Sequence, residues 1–239
     1  MRFTIEGFYK NYDQYPVSIF EGISLANQGG DFGAIGNEAV TSIGEGETYG
    51  VEVFAQQKLV NFFFYTLSYT FYHSRFSGSS NELISSAWDN RHILSAIIGI
   101  KLGRQWEIGI KYRYAGGSPF TPYDLEASQR NYLTLGQGIL DYAQLNSQKL
   151  KPFSQVDLRV DKKWNYKKWT LDLFFDIQNI TATESESYPN YTFKRNEDNT
   201  GFASTDGNEL KQDGSNAIPL ILENLSGIPT PTLGFIIEF

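Results

Sequence analysis

Hydrophobic and polar residues alternate with a period of two along most of this chain. Between Gln105 and Tyr114, for example, every second residue is apolar or aromatic, and the residues between them are polar or glycine. Because neighbouring side chains of a strand point to opposite faces, each such segment predicts a β-strand with one apolar face and one polar face. Most segments have about ten residues, the length that a tilted strand needs to cross a bilayer. The predicted strands cover residues 2–11, 48–59, 63–71, 91–102, 105–114, 155–161, 169–177 and 233–239.

The connections between these strands alternate between short and long. Tight turns are predicted near Val60-Asn61, at Gly103-Arg104 and at Lys167-Lys168. The four long connections are rich in Gly, Ser, Asn, Asp and Pro and show no helical periodicity; they cover residues 13–47, 77–90, 115–152 and 181–230. This alternation is typical of outer-membrane β-barrels, in which periplasmic turns are short and extracellular loops are long. A soluble β-sandwich is the alternative, but it seldom carries four long loops on one side.

The predicted fold is therefore all-β: an antiparallel up-and-down transmembrane β-barrel segment of about eight strands. The positions of three tryptophans support this fold. Trp106 and Trp169 follow tight turns and Trp164 precedes one, which suits a girdle of aromatic residues at the membrane–water interface. The last strand leaves a long loop, so we expect Phe239 to lie on the periplasmic side.

Composition narrows the function but does not identify it. The 239 residues contain no cysteine, which excludes disulfides and thiolate metal sites, and the net charge of −7 disfavours nucleic acid as a partner. No stretch approaches the roughly 20 apolar residues of a spanning helix. Residues 1–6 do not form a signal peptide. We therefore expect either a mature chain or a fragment of a longer exported protein.

Several stretches resemble the C-terminal barrel of TonB-dependent outer-membrane receptors, especially those of Bacteroidetes. Their order and spacing match across nearly the whole chain. The stretches are Tyr49-Gly50-Val51-Glu52, residues 69–76, Trp88-Asp89-Asn90-Arg91-His92, residues 116–123, Asp176-Ile177-Gln178-Asn179-Ile180 and residues 231–239.

The resemblance implies a non-enzymatic protein of the bacterial outer membrane that imports a scarce nutrient, such as a ferric siderophore, cobalamin or a glycan. Such barrels have about 22 strands and a plugged lumen, so residues 1–239 would form one C-terminal barrel portion without the plug. The implied partners are membrane lipid, the unknown ligand and the TonB system, which would act through the absent plug. The barrel assembly machinery is a further implied partner, and its signal would be Phe235, Ile237 and Phe239.

The long loop at residues 115–152 carries the candidate ligand-facing residues Phe120, Tyr123, Arg130 and Tyr132. Aromatic and polar side chains on an extracellular loop can form a binding surface, or they can fold the loop over the barrel mouth. The acidic loop at residues 181–230 has oxygen ligands for Ca²⁺ but no EF-hand spacing, and a solvated loop is the simpler interpretation. No catalytic, metal or cofactor site is expected.

Two further alternatives stay open. His73 and His92 lie near serines, an arrangement that would suit an outer-membrane lipid hydrolase if a serine and a histidine met. Polar faces also carry charges of both signs, such as Lys111 and Asp157. These charges would be paired inside a self-contained eight-stranded barrel with a structural or adhesion role, or would line the wet lumen of a large barrel.

Overall fold

The computed structural model describes residues 1–30 and 37–239. Residues 31–36, which belong to the first predicted long loop, lie outside the described residues. The strands of the described part are β1 (Arg2–Ser18), β2 (Val40–Val60), β3 (Phe63–Ser77), β4 (Leu83–Ser85), β5 (His92–Leu102), β6 (Trp106–Ala115), β7 (Pro119–Phe120), β8 (Tyr123–Asp124), β9 (Ile139–Leu140), β10 (Gln148–Lys149), β11 (Phe153–Asn165), β12 (Thr170–Gln178), β13 (Ser185–Phe193), β14 (Pro219–Ser226) and β15 (Thr230–Glu238).

Eight long strands pair in the order β1-β2-β3-β5-β6-β11-β12-β15. Every pair is antiparallel, and each long strand lies beside the next long strand of the sequence. This is the up-and-down arrangement that the alternation predicts, and each of the eight predicted segments coincides with one of these strands. The all-β antiparallel fold is confirmed.

The sheet is open. β1 and β15 form its two edges, and no pairing joins them in the described part of the chain. The self-contained eight-stranded barrel is therefore not the arrangement of this structure. An edge strand exposes a row of unpaired N–H and C=O groups that a further strand could bind.

Tight turns join the long strands at one end of the sheet, at all three predicted positions. Asn61 adopts a left-handed conformation (φ 57°) between β2 and β3, and Arg104 does so (φ 59°) between β5 and β6. The turn between β11 and β12 is fastened by the stacked rings of Tyr166 and Trp169, whose centroids are 4.2 Å apart.

The first long loop is shorter than predicted, because β1 continues to Ser18 and β2 already begins at Val40. Aromatic contacts hold this extension: the Tyr15 ring lies 4.6 Å from the Phe76 ring of β3, and the Tyr12 ring lies 5.1 Å from it. Pro16 is compatible with a strand here because β1 is an edge strand.

The third long loop contains a helix, α1 (Leu125–Leu135), where the sequence pattern indicated none. Asp124 caps its first turn by accepting a hydrogen bond from the Ala127 N–H at 2.9 Å. Gly136 ends it in the left-handed region (φ 70°). In the sequence, these two capping residues were the features from which the helix could have been predicted. Within the described residues, no helix is both long and apolar enough to cross a membrane.

Candidate functional site

The long strands give the sheet one continuous apolar face. Register places Tyr65, Ile98, Ile110, Leu158 and Ile177 side by side in one row across β3, β5, β6, β11 and β12. Similar rows lie above and below it, and their side chains are exposed; Leu233 and Phe235 of β15, for instance, are 71% and 67% exposed. We call this the outer face. Its size suits contact with lipid hydrocarbon, because a water-exposed patch this large would be strongly unfavourable.

The opposite side, which we call the polar face, carries charges of both signs in register. Asp157 of β11 is its most connected residue and is 8% exposed. Its carboxylate lies 3.3 Å from the Arg113 guanidinium and 3.9 Å from the Lys111 ammonium. It also accepts hydrogen bonds from the Gln155 side chain at 2.6 Å and from the Asn179 N–H at 3.0 Å. The carboxylate therefore joins β6 and β11 to the turn that follows β12.

Further ion pairs extend along the polar face. They are Lys101–Glu107 at 3.4 Å, Arg159–Asp161 at 2.7 Å and Lys163–Asp172 at 3.3 Å. The cations of these pairs remain about half exposed, so the face is wet rather than a buried ion-pair core. A shallow depression of 240 Å³ opens beside Gly109 and Arg159.

Aromatic rings lie over glycines on the polar face, a pairing that sequence reasoning missed. The direct cross-strand pairs are Phe8 with Gly50, Phe64 with Gly99, Phe76 with Gly46 and Phe174 with Gly234. In each pair the ring occupies the space that a glycine Cβ would fill, within 3.0 Å. The glycines leave room for the flat rings, and the rings cover glycine backbone that would otherwise be exposed.

The loop-side rim is built by the motif at residues 88–92. The Asp89 carboxylate is fully buried and accepts hydrogen bonds from the Ser74 N–H at 3.1 Å and the Ser85 hydroxyl at 3.0 Å. The Asn90 side chain donates to the Gly116 carbonyl at 2.6 Å and the Ser118 hydroxyl at 2.9 Å. This motif therefore joins the second long loop to the third.

A second polar seam connects the first three loops. The Asn146 side chain donates to the carbonyls of Asn27 and Ser85, both at 2.8 Å. Asn27 donates in turn to the carbonyls of Ile84 and Ser85 at 3.0 Å. The loops consequently form one connected rim. Lys149 lies in this rim, and partial burial lowers the pKa of its ammonium.

A family model described as TonB dependent receptor-like, beta-barrel matches residues 1–180. The chain belongs to this family. Members are receptors rather than enzymes, and their barrels are outer-membrane proteins.

Two solved receptors have a similar fold. The siderophore receptor PiuA from Acinetobacter baumannii is 11% identical with a TM-score of 0.54, over 98% of this chain and 25% of that one. The ferric-catecholate import receptor Fiu from E. coli K12 is 10% identical with a TM-score of 0.52, over 99% of this chain and 25% of that one. The chain thus spans about a quarter of either receptor's length. None of the curated proteins matches it.

The candidate ligand-facing residues of this receptor barrel divide into two groups. Tyr123 and Tyr132 meet through Tyr191, whose ring lies 5.8 Å and 5.6 Å from theirs. Phe120 lies in the small β7–β10 ladder opposite Gln148, and Arg130 is exposed and pairs with Glu126.

The two tyrosines belong to an aromatic cluster that joins the third and fourth long loops. Its other members are Tyr191, Phe193, Phe202, Leu210 and Ala217. The Tyr132 hydroxyl bonds the Thr192 hydroxyl at 2.8 Å, whereas the buried Tyr191 hydroxyl has no hydrogen-bond partner among the described residues. Burial raises the pKa of the Tyr191 phenol. Tyr123 and Tyr132 therefore help to fold the loops together, one of the two roles considered for them.

The histidines of the receptor barrel lie on the outer face. The His73 ring stacks on Tyr49 at 5.4 Å, and His92 Nδ1 lies 2.8 Å from the Tyr69 hydroxyl. Ser74 points to the polar face, where its hydroxyl lies 3.0 Å from that of Thr48. No hydrogen bond within the described ranges joins either histidine to a serine, so the serine–histidine contact that the lipid-hydrolase alternative requires is not formed there.

Carboxylates in the fourth long loop cap local turns. Asp206 accepts from the Asn208 N–H at 3.1 Å and Asp213 from the Ser215 N–H at 3.0 Å, bonds that lower the pKa of each. No group of three metal-binding side chains occurs in residues 1–30 and 37–239.

Proposed function

We propose that residues 1–239 form the C-terminal part of the wall of a TonB-dependent importer in the bacterial outer membrane. The importer would take up a scarce nutrient, namely a ferric siderophore, cobalamin or a glycan. The names of the two similar receptors favour a siderophore among these classes. The assignment to Bacteroidetes stays a prediction.

The division of the sheet into two faces is the observation that supports this proposal best. A transmembrane barrel needs an apolar face toward lipid and, when it is large, a polar face toward a hydrated lumen. Asp157, Arg159 and their partners would line that lumen, and the connected loops would stand at its extracellular mouth. The open edges at β1 and β15 leave room for the other strands of a larger barrel.

The proposed partners follow from this arrangement. Lipid would cover the outer face, and a plug outside this chain would fill the lumen and contact the TonB system. Phe235, Ile237 and Phe239 would be read by the barrel assembly machinery; Phe239 is fully exposed and Phe235 is 67% exposed. Phe120 and Arg130 remain the proposed ligand-facing residues, because the loop core leaves the Arg130 side chain 64% exposed.

Single cysteines test the membrane arrangement, because the chain contains none of its own. Ile97 and Ile98 are neighbours of the same type with similar exposure, 42% and 44%, and point to opposite faces. In lipid, we expect the Ile97→Cys variant to react with a water-soluble maleimide and the Ile98→Cys variant to be protected. Equal labelling of the two variants would refute the proposed wall.

Orientation and import need two further measurements. On intact cells, an impermeant maleimide should label Gln212→Cys in the fourth loop, and should label Lys168→Cys in a tight turn only after the outer membrane is opened. Deleting the gene that carries these residues should abolish uptake of one labelled nutrient among a ferric siderophore, cobalamin and a glycan. Unchanged uptake of all three would refute the import proposal.

A further inference from the structure

A lysine interrupts the apolar outer face at one position. Among the outward-pointing residues of β5, β6, β11, β12 and β15, all of them described, Lys162 is the only one with an acidic or basic side chain of the Asp, Glu, Lys or Arg type. A lysine that faces hydrocarbon is unfavourable unless its ammonium reaches the interface. The position of Lys162 therefore needs a physical reason.

The Lys162 ammonium lies between two tryptophans near the tight-turn end of the sheet. It lies 5.3 Å from the Trp106 ring centroid and 5.4 Å from that of Trp164. It also donates a hydrogen bond to the Arg104 carbonyl in the turn between β5 and β6. An ammonium has three donor hydrogens, so donors remain for an external acceptor.

Further cations lie in the two turns at this end of the sheet. The turn at residues 103–105 contains Arg104, and the turn at residues 166–169 contains Lys167 and Lys168. β6 and β11 are adjacent, so these two turns are neighbours. Neither turn contains a carboxylate. The result is a positive rim beside the apolar face, although the whole chain has a net charge of −7.

An apolar groove of 230 Å³ begins at this rim. Val160, Leu173, Phe175 and Leu233 line it together with Trp106, Trp164 and Lys162. Cross-strand pairing of Val160 with Phe175, and of Phe175 with Leu233, carries the groove across three strands. Its apolar lining suits an alkyl chain, and the Lys162 ammonium suits an anion attached to that chain.

We propose that this groove is a binding site for an anionic phospholipid of the periplasmic leaflet. One acyl chain would lie along Val160, Phe175 and Leu233, and the phosphate would contact the Lys162 ammonium and the neighbouring rim. The inference rests on the proposed function, because the tight turns must face the periplasm and the outer face must contact lipid. Juxtamembrane lysines attract anionic lipid headgroups electrostatically.

Tryptophan quenching by brominated lipids tests this site. The chain is refolded into vesicles in a Trp88→Phe, Trp169→Phe background, which leaves Trp106 and Trp164 as reporters. Quenching by brominated phosphatidylglycerol is compared with quenching by brominated phosphatidylcholine. One interfacial lysine should favour the anionic lipid about fivefold. We expect Lys162→Gln to lower the preference by about this factor, and high salt to weaken it.

Lys163→Gln is the matched control, because Lys163 is the next residue but pairs with Asp172 on the polar face at 3.3 Å. It should retain the full preference. A wild-type chain without preference, or an equal loss in both lysine variants, would overturn the lipid site alone, since both lipids would still quench. Absence of quenching by either lipid would instead refute the membrane-wall proposal on which the site rests.

Discussion

Gly99 and Gly109 allow a controlled test of the ring-over-glycine packing. The two glycines are direct partners on β5 and β6, and both belong to the polar face. A Cβ on Gly99 would lie 2.0 Å from the Cζ atom of Phe64, whereas a Cβ on Gly109 would meet nothing within 4 Å. Identical substitutions at the two positions therefore differ only in what the added methyl group meets.

The expected magnitudes follow from these distances. Carbon atoms pack at about 3.5–4.0 Å, so in Gly99→Ala the Phe64 ring must retreat by roughly 1.5 Å. Overpacking of this kind costs about 1–3 kcal/mol. Gly109→Ala should instead stabilise by about 0.4–1 kcal/mol, because it reduces the freedom of the unfolded chain without a clash. The two variants should thus differ by roughly 1.4–4 kcal/mol in free energy of unfolding.

Urea unfolding from lipid vesicles, followed by tryptophan fluorescence, measures this difference. Adding Phe64→Ala to Gly99→Ala should remove the clash, so the double variant should be more stable than the sum of the single effects predicts. Equal effects of the two glycine substitutions, or strict additivity in the double variant, would refute the reasoning.

Other predictions concern the loops and the ion pairs. Tyr191→Phe removes an unpartnered buried hydroxyl and should stabilise the chain by about 1 kcal/mol in thermal melts, whereas Tyr132→Phe should destabilise it by a similar amount. Because burial raises the pKa of Tyr191, ionisation of its phenol opposes folding, so the stability is unaffected by this group below about pH 10 and falls as the pH rises further. Tyr191→Phe should flatten that alkaline decline, and an unchanged slope would contradict this. Asp89→Ala should cost about 1–3 kcal/mol and open the second loop to proteolysis, because it leaves the buried Ser74 N–H unsatisfied; an unchanged digestion pattern would exclude this role. Asp157→Asn should cost about 1–2 kcal/mol in urea titrations, since its cationic partners are about 40% exposed, and Asp176→Asn should cost less; the reverse order would contradict the central role of Asp157.

The motifs at the loop-side rim could be recognised in the sequence, but their structural role could not. The stretches at residues 88–92 and 116–123 supported the family resemblance but carried no structural role. The structure explains their co-occurrence, because Asn90 of one stretch bonds Gly116 of the other. A Cβ on Gly116 would lie 2.0 Å from the Asn90 carbonyl oxygen. The two residues are 26 positions apart in the sequence, so no pattern of neighbouring residues could predict their contact.

Sequence alone determined the eight long strands, their order and their two faces. A period of two fixes which side chains share a face, and tight turns force consecutive strands to be antiparallel neighbours. Only the tertiary structure decided what depends on contacts between distant segments. These features are the open edges, the extension of β1 and β2 over Phe76, the rings on cross-strand glycines, and the aromatic cluster that contains Tyr123 and Tyr132. Their physical reason is the same in each case: the partner atoms come from other strands or loops, so register and packing choose them.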